Sequence, residues 1–135
     1  MNELNYATFE SSKRLMDAGI MLKPYAYFFC DQSGEWKLIV GLPGIKSFVA
    51  DGLAIPAPSM AEVWRELPDF IDIETQRYRK TLYRDGGLSV CWFFGLQESR
   101  FQSRNPTDAL IDLLIWVQKE IDLLIWVKKE EKDEA

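Results

Sequence analysis

Residues 111–120 read IDLLIWVQKE, and residues 121–130 read IDLLIWVKKE. The two stretches are identical at nine of ten positions and follow each other without a break. Asn105 is a residue type that caps helices, and Pro106 suits the first helical position, so a long helix is predicted to begin here. We expect this C-terminal helix to be the element on which the rest of the fold packs.

Ten residues do not make a whole number of helical turns. At about 100° per residue, ten residues stop about 80° short of three turns and advance about 15 Å along the axis. The two copies therefore cannot present the same face to one straight neighbour. One heptad-like apolar stripe nevertheless passes through both copies. It consists of Leu110, Leu114, Val117, Ile121 and Leu124.

The remaining flanks of this helix are apolar as well, whereas a solvated helix is normally polar on its far side. If one copy packs on a sheet, the other projects beyond it and exposes large side chains that a partner normally covers. We therefore expect a homo-oligomer, in the simplest case a dimer, formed through residues 111–127, beside an unidentified protein partner. The predicted self-association residues are Leu114, Trp116, Val117, Ile121, Leu124, Ile125 and Trp126.

Two other arrangements of the copies stay open. The duplicated segment, residues 121–130, could fold back or fray near the terminus, where a slippage duplication is tolerated. Alternatively, either copy could occupy the same docking slot, which gives two states related by a ten-residue slip. The helix start at Asn105 favours the first copy, because docking the second would loop out ten apolar residues.

Upstream of the long helix, the pattern alternates short helices with β-hairpins. Residues 41–58 are rich in Gly and Pro and are predicted to be mostly loop. Ser59 and Glu62 have the spacing of a capping box. The predicted elements are a helix at residues 8–18 ended by Gly19, strands at 25–30 and 36–40, a helix at 60–67, strands at 71–83 and 88–96, and a short strand at 99–103.

This order predicts an α+β fold in which an antiparallel β-sheet, built from hairpins, carries helices packed on one face. In the second hairpin, Leu88, Val90, Trp92 and Phe94 alternate onto one side of their strand, and we expect that side to face the core. Residues 1–135 are expected to form a single domain that ends in a charged disordered tail at residues 131–135.

Composition describes an ordinary globular domain. The chain has 135 residues, of which 47% are apolar and 27% charged. A net charge of −5 argues against a general nucleic-acid coat or a binder of anionic membranes. The N-terminal sequence has no secretory signal pattern and no apolar run approaches a membrane span, so a cytoplasmic location is expected. Cys30 and Cys91 are predicted to be buried, reduced thiols.

Few residues of the chain suggest catalysis. There is no histidine, which is the commonest general base and metal ligand. Asp69, Asp72 and Glu74 are clustered, and the last two would share one strand face, but a solvated surface explains them without chemistry. We predict no catalytic, cofactor-binding or metal-binding residues and a protein that is not an enzyme. A pocket enclosing these carboxylates would revive the enzymatic alternative.

Basic residues are concentrated between Gln76 and Arg104, which hold six basic and two acidic side chains. Arginines interleaved with aromatic residues can stack on bases and contact phosphates. A small nucleic-acid-binding or regulatory factor is therefore the alternative function, while a polar sheet face paired with acids is the simpler explanation. The candidate contacts are Arg77, Arg79, Arg84, Arg100 and Arg104.

Several short motifs spread over most of the chain form a recognisable set. They are SKRL at 12–15 with AGI at 18–20, IPA at 55–57 before a short helix ending in LP at 67–68, and Asn105 followed by DALIDLLIW at 108–116. As a set they resemble a group of small proteins of Bacteroides-type gut bacteria and their phages or mobile elements. The resemblance extends to about residue 118 and implies no activity and no site residues. Members of that group are expected to carry one copy of the leucine-tryptophan helix, where this chain has two.

Overall fold

The computed structural model describes residues 6–20, 22, 24–41, 49 and 52–134, with side chains as far as residue 120. These parts of the chain form an α+β fold. In chain order the elements are α1 (Phe9–Asp17), β1 (Ala26–Cys30), β2 (Trp36–Val40), β3 (Ala54–Pro56), α2 (Met60–Glu66), β4 (Phe70–Ile73), β5 (Gln76–Asp85), β6 (Leu88–Phe93), a 3₁₀ turn (Gln97–Ser99), β7 (Phe101–Ser103) and α3 (Pro106–Glu134).

The strands form two antiparallel sheets, whereas the sequence predicted one. The smaller sheet has the order β2-β1-β3 and the larger sheet the order β4-β5-β6-β7. The strand β3 lies within residues 41–58, which were predicted to be mostly loop, and residues 42–48, 50 and 51 of that segment lie outside the described residues. Pro56 lacks an N–H donor and is tolerated because β3 is an edge strand. Ala54 and Ile55 are buried beside β1.

A turn divides the predicted strand at residues 71–83 into β4 and β5. Glu74 sits in this turn with a φ of 57°, in the left-handed region that extended strands do not use. Phe70 consequently pairs with Arg79, and Asp72 pairs with Arg77. The prediction that Asp72 and Glu74 share one strand face is therefore wrong, because Glu74 lies outside both strands.

The core lies on the opposite face of β6 from the one predicted. Cys91 and Phe93 are fully buried in the cluster beneath α3, whereas Phe94 is 64% exposed. Alternation favoured the other face because the core side of this strand carries Ser89 and Cys91 beside Phe93, which is the less apolar side in the sequence. Val90 is also fully buried, so β6 is covered on both faces at that point.

The predicted helix starts and stops are confirmed. The Thr8 side chain accepts from the Ser11 N–H at the start of α1, and Gly19 follows its end with a φ of 79°. The capping box is complete, since the Ser59 hydroxyl accepts from the Glu62 N–H and the Glu62 carboxylate accepts from the Ser59 N–H.

The first part of α3 is the centre of the core. Asn105 caps it by accepting from the N–H groups of Thr107 and Asp108, at 2.9 and 3.3 Å. The Asp108 carboxylate in turn accepts from the N–H and the hydroxyl of Thr8, each at 2.8 Å. The helix contacts α1, α2, β6 and β7. Its buried apolar side chains are Ala109, Leu110, Ile111, Leu113, Leu114 and Val117.

At residue 120, α3 faces a cavity that it shares with the edge strand of the larger sheet. Glu120 lines the same cavity as Ile71 and Ile73 of β4, and β4 is the outermost strand of the larger sheet. The packing of the second copy and the predicted tail at residues 131–135 lie outside the residues whose side chains the structure describes.

Candidate functional site

An apolar groove of about 450 Å³ lies between β4, the 3₁₀ turn and α3. β4 is the outermost strand of the larger sheet, so no further strand of that sheet closes this side of the groove. We call it the β4–α3 groove. Its described lining residues are Ile71, Ile73, Leu96, Glu98, Trp116, Val117 and Glu120.

The turn that forms one wall of the β4–α3 groove is held by a buried hydroxyl. The Ser99 Oγ accepts from the Phe93 N–H at 2.9 Å and donates to the Leu96 carbonyl at 2.7 Å. Ser99 is fully buried. These bonds place Leu96 and Glu98 beside α3 in one conformation, so this wall is preformed.

The groove combines an apolar lining with two carboxylates. Trp116 is half-buried, and its ring centroid lies 6.5 Å from that of Phe93 in the core. Glu98 is exposed and Glu120 is partly exposed. A ligand that fits this groove would pack apolar groups against its lining and carry a positive charge near the two carboxylates.

The structure divides the predicted self-association residues into two groups. Leu114 and Val117 are 5% and 3% exposed and pack inside their own domain. Trp116 lines the β4–α3 groove and remains accessible there. The other four, Ile121, Leu124, Ile125 and Trp126, belong to the second copy and lie outside the described side chains.

The five candidate arginines do not form one cluster. Arg77 and Arg79 alternate onto the face of β5 that is turned away from the helices, while Arg84 has the opposite parity. Arg100 and Arg104 flank β7, two strands away from β5 in the sheet. All five are exposed.

Arg77 already has partners within the sheet. Its guanidinium donates to both Asp72 carboxylate oxygens, at 2.9 and 3.3 Å, and lies 3.7 Å from the centroid of the Phe70 ring. The hydrogen bond to Asp72 raises the pKa of Arg77 above its usual value. Arg77 therefore stabilises the β4–β5 hairpin. For this residue the simpler explanation of the basic cluster applies, namely a polar sheet face paired with acids.

Three aromatic side chains share the outer face with Arg79, and the sequence assigned two of them to the core instead. Phe94 follows β6, and its N–H donates to the Arg79 carbonyl. The rings of Trp92 and Phe94 meet edge to face at 5.3 Å between centroids. Tyr83 is 38% exposed on the same side of β5. We call Arg79, Tyr83, Trp92 and Phe94 the arginine–aromatic face.

The clustered carboxylates are engaged separately. Asp69 lies 3.3 Å from Lys80, Asp72 pairs with Arg77, and Glu74 occupies the turn between them. The structure does not bring these groups together as a pair of acids. Among the described residues, no group of three or more His, Cys, Asp or Glu side chains is placed to hold a metal ion.

Lys80 is a buried cation that sequence analysis did not single out. Its side chain is 8% exposed, and its Nζ donates to the carbonyls of Trp64 and Leu67, at 2.8 and 3.1 Å. The ammonium thus satisfies carbonyls at the end of α2, where a positive charge is favourable. The alternation that places Lys80 on the same face as Tyr78 and Leu82 was the available signal.

Both cysteines are free, and one of them is chemically protected. Burial, with a smaller contribution from the charge of Asp112, raises the pKa of Cys91 to about 12. Cys91 is therefore a protonated, apolar core residue at neutral pH and not a nucleophile. Cys30 is only partly buried, although the sequence predicted burial for both.

Comparisons of the chain with known protein families, with curated proteins and with solved structures found no match. No helix in the described part of the chain has the length and apolar character needed to cross a bilayer.

Proposed function

We propose that this protein is a non-enzymatic interaction module that self-associates through the second copy in its C-terminal helix. The observation that carries the proposal is the use of the first copy as core. Ile111, Leu113, Leu114 and Val117 are all at most 5% exposed within their own domain. The domain has therefore filled its helix site with one copy, and the second copy has to find other contacts.

The position of the helix supports an intermolecular contact. Glu120, the last residue before the second copy, lines the cavity beside the edge strand β4. In the helical repeat, Ile121, Leu124 and Ile125 continue the stripe that is buried in the first copy. A contiguous apolar stripe of this kind is normally covered by a partner.

The proposed absence of an active site has separate support from the described chemistry. Asp72 is paired with Arg77, Asp69 with Lys80, and Cys91 is buried and protonated. These groups are engaged in stabilising the fold, which is why an interaction module is favoured over an enzyme.

Light scattering coupled to size exclusion tests the proposal with two truncated chains. At tens of micromolar, the full chain should run as a dimer. A variant lacking residues 121–130 should run as a monomer and keep a cooperative thermal transition. A second variant lacking residues 131–135 serves as the matched control and should remain a dimer.

A full chain that stays monomeric at these concentrations would overturn the proposal. Loss of the cooperative transition on deleting residues 121–130 would also count against it. That result would show that the second copy packs within its own domain, as the fold-back alternative requires.

We propose nucleic-acid binding as the second candidate function, since the arginine–aromatic face favours it. Arg79, Tyr83 and Phe94 are exposed together, and such side chains stack on unpaired bases and contact phosphates. A labelled single-stranded oligonucleotide at low salt provides the test, with Arg79→Ala expected to weaken binding and Arg84→Ala, on the other face of β5, as the control. No binding at low salt would remove this candidate.

A further inference from the structure

We infer that the β4–α3 groove is the docking site for the second copy of a partner subunit, and that two chains exchange these segments reciprocally. This inference rests on the proposed self-association and adds its location and its chemistry. The groove is continuous with the helix that leaves it, because Trp116, Val117 and Glu120 form one wall immediately before residue 121. A partner that binds there contacts both the groove and the emerging helix.

Apolar chemistry on the two sides is matched. Three of the apolar residues that line the groove do not belong to α3, namely Ile71, Ile73 and Leu96. The incoming segment has the sequence IDLLIWV, which in the first copy already packs on this sheet against Cys91 and Phe93. We expect a segment that packs on one apolar part of this sheet to pack on the neighbouring apolar surface of the groove as well.

Charge complementarity selects the second copy as the occupant. The groove carries Glu98 and Glu120. The only difference between the copies replaces Gln118 by Lys128, which gives the second copy two adjacent lysines with Lys129. The basic residues of the incoming helix are attracted to the carboxylates at the groove. This attraction favours binding of the second copy over binding of the first copy.

A two-fold arrangement satisfies these contacts on both subunits at once. A two-fold axis relates the two grooves, so the second copy of each chain lies in the groove of the other chain. The same contact repeats with the chains exchanged, so the assembly closes as a dimer and does not grow into a filament.

A charge-reversal cycle on the full chain tests the docking site. The first variant carries Glu98→Lys and Glu120→Lys, the second carries Lys128→Glu and Lys129→Glu, and the third combines all four. Sedimentation equilibrium at low salt should show about tenfold weaker dimerisation for each of the first two variants, because several exposed ion pairs are lost. The combined variant should return to within about threefold of the original dissociation constant.

The matched control reverses two carboxylates elsewhere. Glu35→Lys with Glu66→Lys makes the same change in net charge at exposed positions outside the groove, and it should leave dimerisation within about twofold of the original chain. Near-ultraviolet circular dichroism confirms that every variant is folded. A groove variant that dimerises like this control would overturn the inference.

Zero-length cross-linking locates the contact without any substitution. Equal amounts of ordinary and nitrogen-15-labelled protein are mixed and coupled with a carbodiimide, which joins carboxylates to amines in contact. Isotopically mixed peptides should link Glu98 or Glu120 to Lys128 or Lys129. Mixed peptides that omit the two glutamates would overturn the docking site while the proposed self-association stands. A strict monomer in sedimentation would overturn both.

Discussion

The first copy, residues 111–120, and the second copy, residues 121–130, have nearly the same sequence but different positions in the fold. In the first copy, Ile111 and Leu113 are fully buried in the core cluster. The second copy starts after Glu120, which lines the cavity beside the edge strand β4. Nearly the same peptide is therefore part of the core at residues 111–120 and a candidate interface at residues 121–130. The reason is that burial depends on which elements lie beside the peptide in the fold.

Local anchors decide which copy occupies the core. Asn105 caps α3, and Asp108 accepts two hydrogen bonds from Thr8 at the start of α1. Both anchors lie within the first turn or just before it, so the residues directly after them are held against the sheet. Using the second copy instead would require ten apolar residues to leave the core, which opposes the ten-residue slip.

The largest difference between the copies should appear when the same leucine is shortened in each. Leu113→Ala removes a fully buried side chain and should lower the free energy of unfolding by about 2–5 kcal/mol. Leu123→Ala, in identical local sequence, should change it by less than about 0.5 kcal/mol. Urea unfolding at a protein concentration below that of self-association measures both. Equal losses would mean that both copies pack within one domain.

Removing the anchor at the start of the first copy should have the next largest effect. Asp108→Ala deletes a buried carboxylate and removes the acceptor of the Thr8 N–H and hydroxyl, which should destabilise the fold by about 1.5–3 kcal/mol. Asp108→Asn keeps one carbonyl acceptor and should cost less. Urea unfolding provides the comparison. If Asp108→Ala is neutral, the register of α3 is set by packing and not by this carboxylate.

Alkaline pH should loosen the core beneath the first copy. The folded-state pKa of Cys91 is about 12, above the ordinary value of 9.0. The neutral thiol therefore favours the folded state fully below about pH 9, and this contribution is lost progressively as the pH rises towards 12. At about pH 10 the loss is about 1.4 kcal/mol.

The measurement for this pH effect is the urea midpoint at pH 8 and pH 10, in the original chain and in Cys91→Ala. The variant should lose less stability between these pH values, because it has no thiol to ionise, and other titrating groups are common to both chains. Parallel losses in the two chains would show that Cys91 becomes accessible without unfolding of the first copy.

The smallest expected effect concerns an aspartate that both copies contain. Arg14 pairs with Asp112 at 2.6 Å, and the two side chains are 54% and 23% exposed. Solvent screens such a pair, so Asp112→Asn should cost about 0.2–1 kcal/mol. The equivalent change Asp122→Asn should show no coupling to Arg14→Ala in a double-mutant cycle. Coupling to Asp122 would indicate that the second copy visits the slot of the first.

Part of the candidate site could be predicted from the sequence. Trp116, which lines the groove, is one of the residues that the sequence predicted for self-association. Ile71, Ile73 and Leu96 were missed as groove residues, because they come together with α3 only through the order of the sheet. The buried Lys80 was missed for the same reason, since its carbonyl partners lie 13 and 16 residues away.

The amino-acid sequence by itself determined the helix caps at Ser59 and Asn105, the hairpins and the α+β class. These features depend on hydrogen bonds and alternation among residues close together in the chain. Only the tertiary structure decided that Cys91 and Phe93, and not Trp92 and Phe94, face the core. The side with Trp92 and Phe94 is the more apolar one in the sequence, so the core face was decided by where α3 packs. The same long-range packing made the first copy part of the core.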